Sequence, residues 1–147
     1  MSGIIGSAGS RSGVIGTTEL DYEIGEWTPT NTNSGSNTLD AREGFYTKIG
    51  RLVVCTFFVR VINTTGGANT PSAGDMGGLP FTSNNDITND SNGAGGGMVT
   101  YSNGFGAVDT SIMVNSNSTN FRFYAGYQQN QLPSNKNAKG TITYYTG

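Results

Sequence analysis

The side chains that could do chemistry in this chain are few, and most are carboxylates, amides and hydroxyls. The 147 residues include no histidine and a single cysteine, Cys55. A nucleophile activated by histidine is therefore excluded. One cysteine without histidine also cannot form an ordinary zinc site or an intrachain disulfide. We expect a protein that is not an enzyme, with no catalytic residue, no cofactor and no metal.

Acidic residues cluster before the only tryptophan. Three carboxylates alternate with three apolar side chains, as Glu19, Asp21 and Glu23 against Leu20, Tyr22 and Ile24. This alternation predicts a short amphipathic strand with its carboxylates on one face. Two carboxylates can hydrolyse a glycoside, but no apolar pocket that would raise a carboxyl pKa is evident here. A solvated face is the preferred interpretation.

Amide-rich segments offer two further kinds of site. The stretches 84–86 and 89–93 contain only Asn, Asp, Ser and Gly, whose oxygens can bind calcium, but they lack the spacing of an EF-hand loop. Turn formation explains them without a metal. The long loops 64–78, 82–97 and 128–138 are also polar. Near the last of them, Tyr124 and Tyr127 could stack on a sugar ring, so we expect any glycan contact to involve these two residues.

Composition favours a single all-β domain. Only 34% of residues are hydrophobic and 12% are charged, and Gly, Asn, Ser and Thr separate short apolar runs. The net charge is -2, and the eight cationic residues are scattered, so no nucleic-acid or membrane partner is indicated. Neither a signal peptide nor a membrane span is evident in the sequence, so we expect synthesis in a reducing cytoplasm.

The most informative segment runs from Glu43 to Asn63. Its second half, 51–62, is rich in β-branched and aromatic residues and predicts a strand that forms a hairpin with 45–49 through Gly50. One face of this strand is wholly apolar and should be core. The opposite face is also largely apolar, so a loop, a second sheet or another subunit should cover it, and we expect another subunit. The expected subunit interface is Leu52, Val54, Phe58, Arg60 and Ile62, and Arg60 should have a polar or acidic partner or reach the rim.

The remaining sequence predicts about seven or eight strands and no helix, as in a sandwich or a jelly roll. Trp27 is expected to anchor the core, and the apolar segment 79–81 to plug one end of it. Residues 1–25 are predicted to be an extended attachment arm, followed by a β domain at 26–147. The arm contains a repeat, Ser-Gly-Ile-Ile-Gly and then Ser-Gly-Val-Ile-Gly, whose anchors would be Ile4, Ile5, Val14 and Ile15.

Three motifs carry a family resemblance. They are Glu-Trp-Thr-Pro-Thr at 26–30, Gly-Phe-Tyr-Thr-Lys-Ile-Gly-Arg-Leu-Val at 44–53 and Gly-Leu-Pro-Phe-Thr at 78–82. In order and approximate spacing they resemble the C-terminal β domain of bacteriophage fibre and virion-decoration proteins. The repeat at the N-terminus, leading into 20–23, is similar to the start of structural proteins of marine phages.

The resemblance implies a homotrimeric, jelly-roll-like component of a phage virion surface, made in the host bacterium. Its partners would be itself and other virion proteins, either the major capsid protein or a tail component. The absence of shaft repeats favours a capsid decoration or short spike. The alternative is a tail-fibre tip that binds a host cell-surface glycan.

Overall fold

In a computed structural model, the chain is described for residues 21–32, 37–64, 75–84, 94–103, 110–125, 128–129 and 136–147. These residues form strands, turns and extended segments and contain no helix. The strands are β1 (Tyr22–Trp27), β2 (Thr30–Asn31), β3 (Asn37–Ile49), β4 (Leu52–Thr64), β5 (Asp75–Gly77), β6 (Gly95–Ser102), β7 (Thr110–Val114), β8 (Phe121–Ala125), β9 (Gln128–Gln129) and β10 (Lys136–Tyr145).

All of these strands belong to one antiparallel sheet, in the order β1-β3-β4-β10-β6-β7-β8-β5-β2, with β9 paired to β8. The sheet is curled, and its two outermost strands are consecutive in the chain. β1 lies at one edge and β2 at the other, and only Thr28 and Pro29 separate them. This short connection draws the two edges together, and β2 also contacts β3. The chain itself therefore closes the curl.

The predicted central hairpin is present. β3 and β4 pair along their length, from Ile49 opposite Leu52 to Asn37 opposite Thr64, with an irregularity at Asp40. The turn contains Gly50 with a φ of 59°, a left-handed conformation that favours glycine. The hairpin is longer than the sequence indicated, because β3 begins at Asn37, before the predicted strand at 45–49. Its polar residues are accommodated because the strand continues past the core.

The core lies between the concave faces of the two halves of the sheet. The inward residues of β4 are Val53, Cys55, Phe57, Val59 and Val61, and all are buried. They face the apolar residues of β7 and β8. The Phe57 ring lies 5.9 Å from that of Phe121 and 6.0 Å from that of Phe123. The prediction that this face of the central strand is core is confirmed, including Cys55 as a small buried hydrophobic residue.

Trp27 ties three strands together. Its indole lies across Gly44 of β3, where a Cβ atom would be 2.2 Å from Nε1. A side chain at position 44 would block this path. Across the glycine, Trp27 Nε1 donates a hydrogen bond to the carbonyl oxygen of Thr56 on β4, at 3.0 Å. The ring also packs edge-on against Phe121 at 6.1 Å. The predicted role of Trp27 as a core anchor is confirmed, and Gly44 makes it feasible.

The segment 79–81 closes part of the core, as predicted. Leu79 is buried, and Phe81 packs edge-on against Tyr46 with ring centroids 5.2 Å apart. The buried Tyr144 holds the segment in place. Its hydroxyl donates to the carbonyl of Phe81 at 3.0 Å and accepts from the amide of Phe81 at 3.2 Å. Burial raises the pKa of Tyr144, so the hydroxyl keeps the proton that it donates.

The expected all-β class is confirmed. The structure has more strands than the seven or eight predicted, because β2, β5 and β9 are too short to give a sequence pattern. β1 begins at Tyr22, so the sheet includes the last residues of the segment assigned to the arm. The anchors Ile4, Ile5, Val14 and Ile15 lie outside the described residues, as do the repeat and most of the long loops.

Candidate functional site

The convex face of the strands β1-β3-β4-β10-β6 is an apolar surface. Alternation along each strand and the register between strands place successive side chains in rows across this face. One row runs from Tyr22 through Ile49 and Leu52 to Tyr145. Another runs from Phe45 through Thr56 and Thr141 to Met98. We call this surface the convex face.

Within the described residues, every exposed large hydrophobic side chain lies on the convex face. They are Tyr22, Ile24, Phe45, Ile49, Val54, Ile62, Met98, Tyr101 and Tyr145. Ile24 is 63% exposed and Met98 is 60% exposed, at opposite sides of the face. Soluble proteins rarely gather so many exposed apolar groups in one place, and such patches mark interaction sites. The distribution therefore singles out this face as the candidate functional site.

The convex face is large enough for a stable interface. With strands about 4.8 Å apart and residues about 3.3 Å apart, five strands of these lengths cover roughly 800 Å². The largest apolar patch of an ordinary monomer is about 300–600 Å², and a standard protein interface buries about 800 Å² on each partner. With its polar rim, the convex face falls in the range of protein interfaces.

A shallow pocket of about 250 Å³ lies on this face around Phe58 and Phe45. Charged residues of opposite sign flank Phe58, because the register places Glu43 beside it on β3 and Lys139 beside it on β10. The ammonium of Lys139 lies 5.4 Å from the centre of the Phe58 ring, close enough for a cation–π interaction. Glu43 has no cationic partner among the described residues. Phe58 therefore lies between a negative and a positive side chain on the convex face.

Arg60 has an acidic partner, which is one of the alternatives expected from the sequence. Its guanidinium binds the carboxylate of Asp40 through both Nε and Nη2, and the Nε–Oδ1 distance is 2.8 Å. Asp40 reaches Arg60 from the irregularity in β3, which shifts the register there. The hydrogen bond from Arg60 lowers the pKa of Asp40, so the carboxylate is charged at neutral pH. The pair neutralises this end of the convex face.

The expected interface residues all lie on this face. Val54 is 40% exposed and Ile62 is 41% exposed, and Leu52 and Phe58 are half-buried. The sequence pattern indicated only the β4 part of the surface. The contributions of β1, β3, β6 and β10 were missed, although the alternation of Tyr22 with Glu23 carried a signal. Which alternating face joins β4 depends on the strand register, which the sequence alone did not reveal.

Asp21 and Glu23, two of the alternating carboxylates, bind side chains of β3. Asp21 forms an ion pair with Lys48, and Glu23 accepts a hydrogen bond from the hydroxyl of Tyr46. That hydrogen bond raises the pKa of Tyr46. Both carboxylates are exposed, as the solvated-face interpretation expects, and Glu19 lies outside the described residues. Their role in the described structure is to hold β1 against β3.

Of the two residues expected at a glycan contact, the structure describes only Tyr124. It is half-buried on β8, opposite Ser111 of β7 and Gln129 of β9. Tyr127 lies outside the described residues. A polar depression lies elsewhere, beside Lys48, Phe81, Asn84 and Asn117. The Lys48 ammonium is bound to Asp21 and lies 5.6 Å from the Phe81 ring centre, so this charge already has partners.

Within the described ranges, no group of three or more His, Cys, Asp or Glu residues is positioned to hold a metal ion. Most of the Asn/Asp-rich stretch considered for calcium lies outside those ranges. The described residues also contain no helical segment with the length and hydrophobicity of a membrane span.

Comparison with known proteins gave no relative on which a function could be based. No family model, curated protein or solved structure matches the chain.

Proposed function

We propose that this protein is a structural component of a bacteriophage virion surface: a homotrimeric capsid decoration or short spike, docked by its N-terminal segment. The convex face carries the oligomeric part of this proposal. It gathers the exposed large hydrophobic residues of the described chain on one side of the sheet, and a second copy is the partner available wherever the protein is made. The virion part rests on the three sequence motifs.

The motifs have structural roles that fit a shared fold. The Trp of the first motif crosses the Gly44 that opens the second motif, and the third motif supplies the plug formed by Leu79 and Phe81. The motifs therefore meet in one core rather than lying on separate surfaces. We further propose that the curled sheet is a jelly-roll-like sandwich whose halves are β1-β3-β4-β10-β6 and β7-β8-β5-β2. Its concave side is the core, and its convex side is where the copies meet.

No described residue requires a catalytic role in this proposal. Cys55 is buried, and burial raises its pKa to about 12, so the thiolate nucleophile is not formed at neutral pH. The carboxylates Asp21, Asp40 and Glu23 are bound to neighbouring side chains. A structural function requires of these groups only the contacts that they make in the fold.

Two measurements test the proposal. Light scattering coupled to size-exclusion chromatography should give three times the mass of 15.4 kDa at micromolar concentration. A monodisperse monomer would refute the oligomer. Electron microscopy of particles, with the protein tagged at its C-terminus, should then place the trimer on the virion. Density on the capsid supports the decoration, and density at the tail tip, together with tight binding on a glycan array, supports the receptor-binding alternative.

A further inference from the structure

We infer that Glu43 and Lys139 form an ion pair between copies, with Phe58 buried at the centre of the assembly. This inference rests on the proposed homotrimer and specifies how its copies pack. The occupant of the convex face is a second copy of this chain, because the charges on the face complement one another. Among its charged residues, Glu26 and Glu43 lie on the β1–β3 side and Lys139 lies on the β10 side, while Arg60 is neutralised by Asp40.

The proposed packing places the symmetry axis along β4. β4 is the middle strand of the convex face, with β3 on one side and β10 on the other. A symmetry axis that runs along β4 brings the β3 side of one copy against the β10 side of the next, and it keeps each row at one level. In the Phe58 row, Glu43 of one copy then faces Lys139 of its neighbour. The same row directs the Phe58 rings toward the axis.

The two charges do not satisfy each other within one copy. Glu43 and Lys139 are separated by β4, hence by two strand spacings of about 4.8 Å each, and Phe58 lies between them. Each charge is therefore available to a neighbour. Lys139 leans over the Phe58 ring, and Glu43 is exposed beside the pocket. An ion pair formed between copies would border Phe58 on both sides and exclude water from it.

Like charges would oppose the same packing. Glu43→Lys places two cations together at each contact, and Lys139→Glu places two anions together. Each single variant should raise the concentration of half-dissociation by about tenfold or more, because close interfacial charge pairs have substantial coupling energies. The double variant Glu43→Lys/Lys139→Glu restores opposite charges with their positions exchanged. It should recover most of the wild-type assembly.

Analytical ultracentrifugation at low and high salt is the measurement. Arg42→Glu is the matched control, because Arg42 is an exposed neighbour of Glu43 opposite Val59, on the other side of the sheet. It should leave assembly unchanged. Thermal unfolding verifies that every variant is folded, as expected for exposed positions. Weaker assembly of both single variants, with recovery in the double variant, supports the ion pair.

The failure of this inference can be told apart from the failure of the proposed function. If the wild-type protein is a monomer, the homotrimer is refuted and the ion pair with it. If the wild-type is a trimer but the double variant is as weak as the single variants combined, only the ion pair is refuted. Unchanged assembly in both single variants would also refute it, because the charges would then lie outside the interface.

Discussion

At the scale of single residues, Trp27 and Gly44 explain how the end of β1 is held against the central hairpin. The indole reaches the Thr56 carbonyl only because position 44 has no side chain. The Thr56 carbonyl is partly buried, and a hydrogen bond to such a group contributes about 0.5–1.5 kcal/mol. Trp27, which belongs to the first motif, thus contributes measurably to the free energy of unfolding.

The variant Trp27→Phe tests this contact. It retains an aromatic ring near Phe121 but removes the donor to Thr56 and part of the buried indole, so the free energy of unfolding should fall by about 1–3 kcal/mol. Urea denaturation at fixed protein concentration measures the change. Thr119→Val is the control, because it removes only an exposed hydroxyl from a turn outside the convex face and should alter stability by less than about 0.5 kcal/mol. Equal stability of Trp27→Phe and wild type would show that the hydrogen bond contributes nothing.

Cys55 gives a prediction about alkaline pH. Burial raises its pKa from an ordinary value of 9.0 to about 12. Once the pH exceeds 9, the unfolded chain releases this proton and the folded chain retains it, so unfolding becomes more favourable. The contribution is complete below pH 9 and is lost as the pH rises toward 12. Between pH 9 and pH 10, the unfolding free energy of wild type should therefore fall more steeply than that of Cys55→Val.

Urea midpoints at pH 8, 9 and 10 provide the comparison for the two proteins. The range ends at pH 10 because Tyr144 in the unfolded chain, with an ordinary pKa of 10.0, is half ionised there. A thiol reagent offers a second measurement: it should react with Cys55 in urea and very slowly with the folded protein. Parallel pH profiles of wild type and Cys55→Val would contradict the prediction.

At the scale of elements, the pairing of β6 with β10 depends on a close approach of their backbones. The glycines of β6 alternate between the two sides of the strand. A Cβ at Gly97 would lie 1.9 Å from the carbonyl oxygen of Thr141, whereas the nearest atom to a Cβ at Gly96 is the carbonyl oxygen of Ile112, at 3.1 Å. The triple glycine, predicted to end a loop, is therefore part of a strand packed against its neighbour.

Gly97→Ala should force β6 away from β10 and lower the unfolding free energy by about 1–3 kcal/mol. Gly96→Ala is the matched variant, since it makes the same chemical change one residue away and needs a shift of only a few tenths of an ångström. Thermal unfolding of both should give a clearly lower midpoint for Gly97→Ala. The reverse order would mean that the two strands are not spaced as described.

At the scale of the whole molecule, the fold and the attachment function are expected to be separable. The sheet begins at Tyr22, and its core begins with Trp27, which is 6% exposed. The predicted anchors Ile4, Ile5, Val14 and Ile15 precede both. A chain without residues 1–16 retains every described contact of the sheet.

Deletion of residues 1–16 should therefore leave the unfolding midpoint and the number of copies in the oligomer unchanged and abolish binding to virions. Co-sedimentation with particles that lack the protein measures the binding. The variant Ile4→Ser/Ile5→Ser/Val14→Ser/Ile15→Ser separates the anchors from arm length and should bind as poorly as the deletion. Wild-type occupancy by the deleted protein would show that another surface docks on the virion.

The sequence by itself determined the elements with strong local signals. The alternation of apolar residues in β4, the turn at Gly50 and the positions of Trp27 and Cys55 follow from neighbours along the chain. The apolar second face of β4 was visible in the same way, and it led to the expectation that Arg60 has a polar or acidic partner or reaches the rim. Local periodicity was sufficient because each of these features depends on residues close in sequence.

Only the tertiary structure decided that β10 lies beside β4 on the side opposite β3. Lys139 and Glu43 are far apart in sequence, and they flank Phe58 because β10 and β3 pair with β4 in one particular register. A shift of one residue would turn every side chain of a strand to the other face. The extent of the convex face and the closure of the sheet by β1 and β2 depend on such long-range pairing, which the packing of the whole core selects.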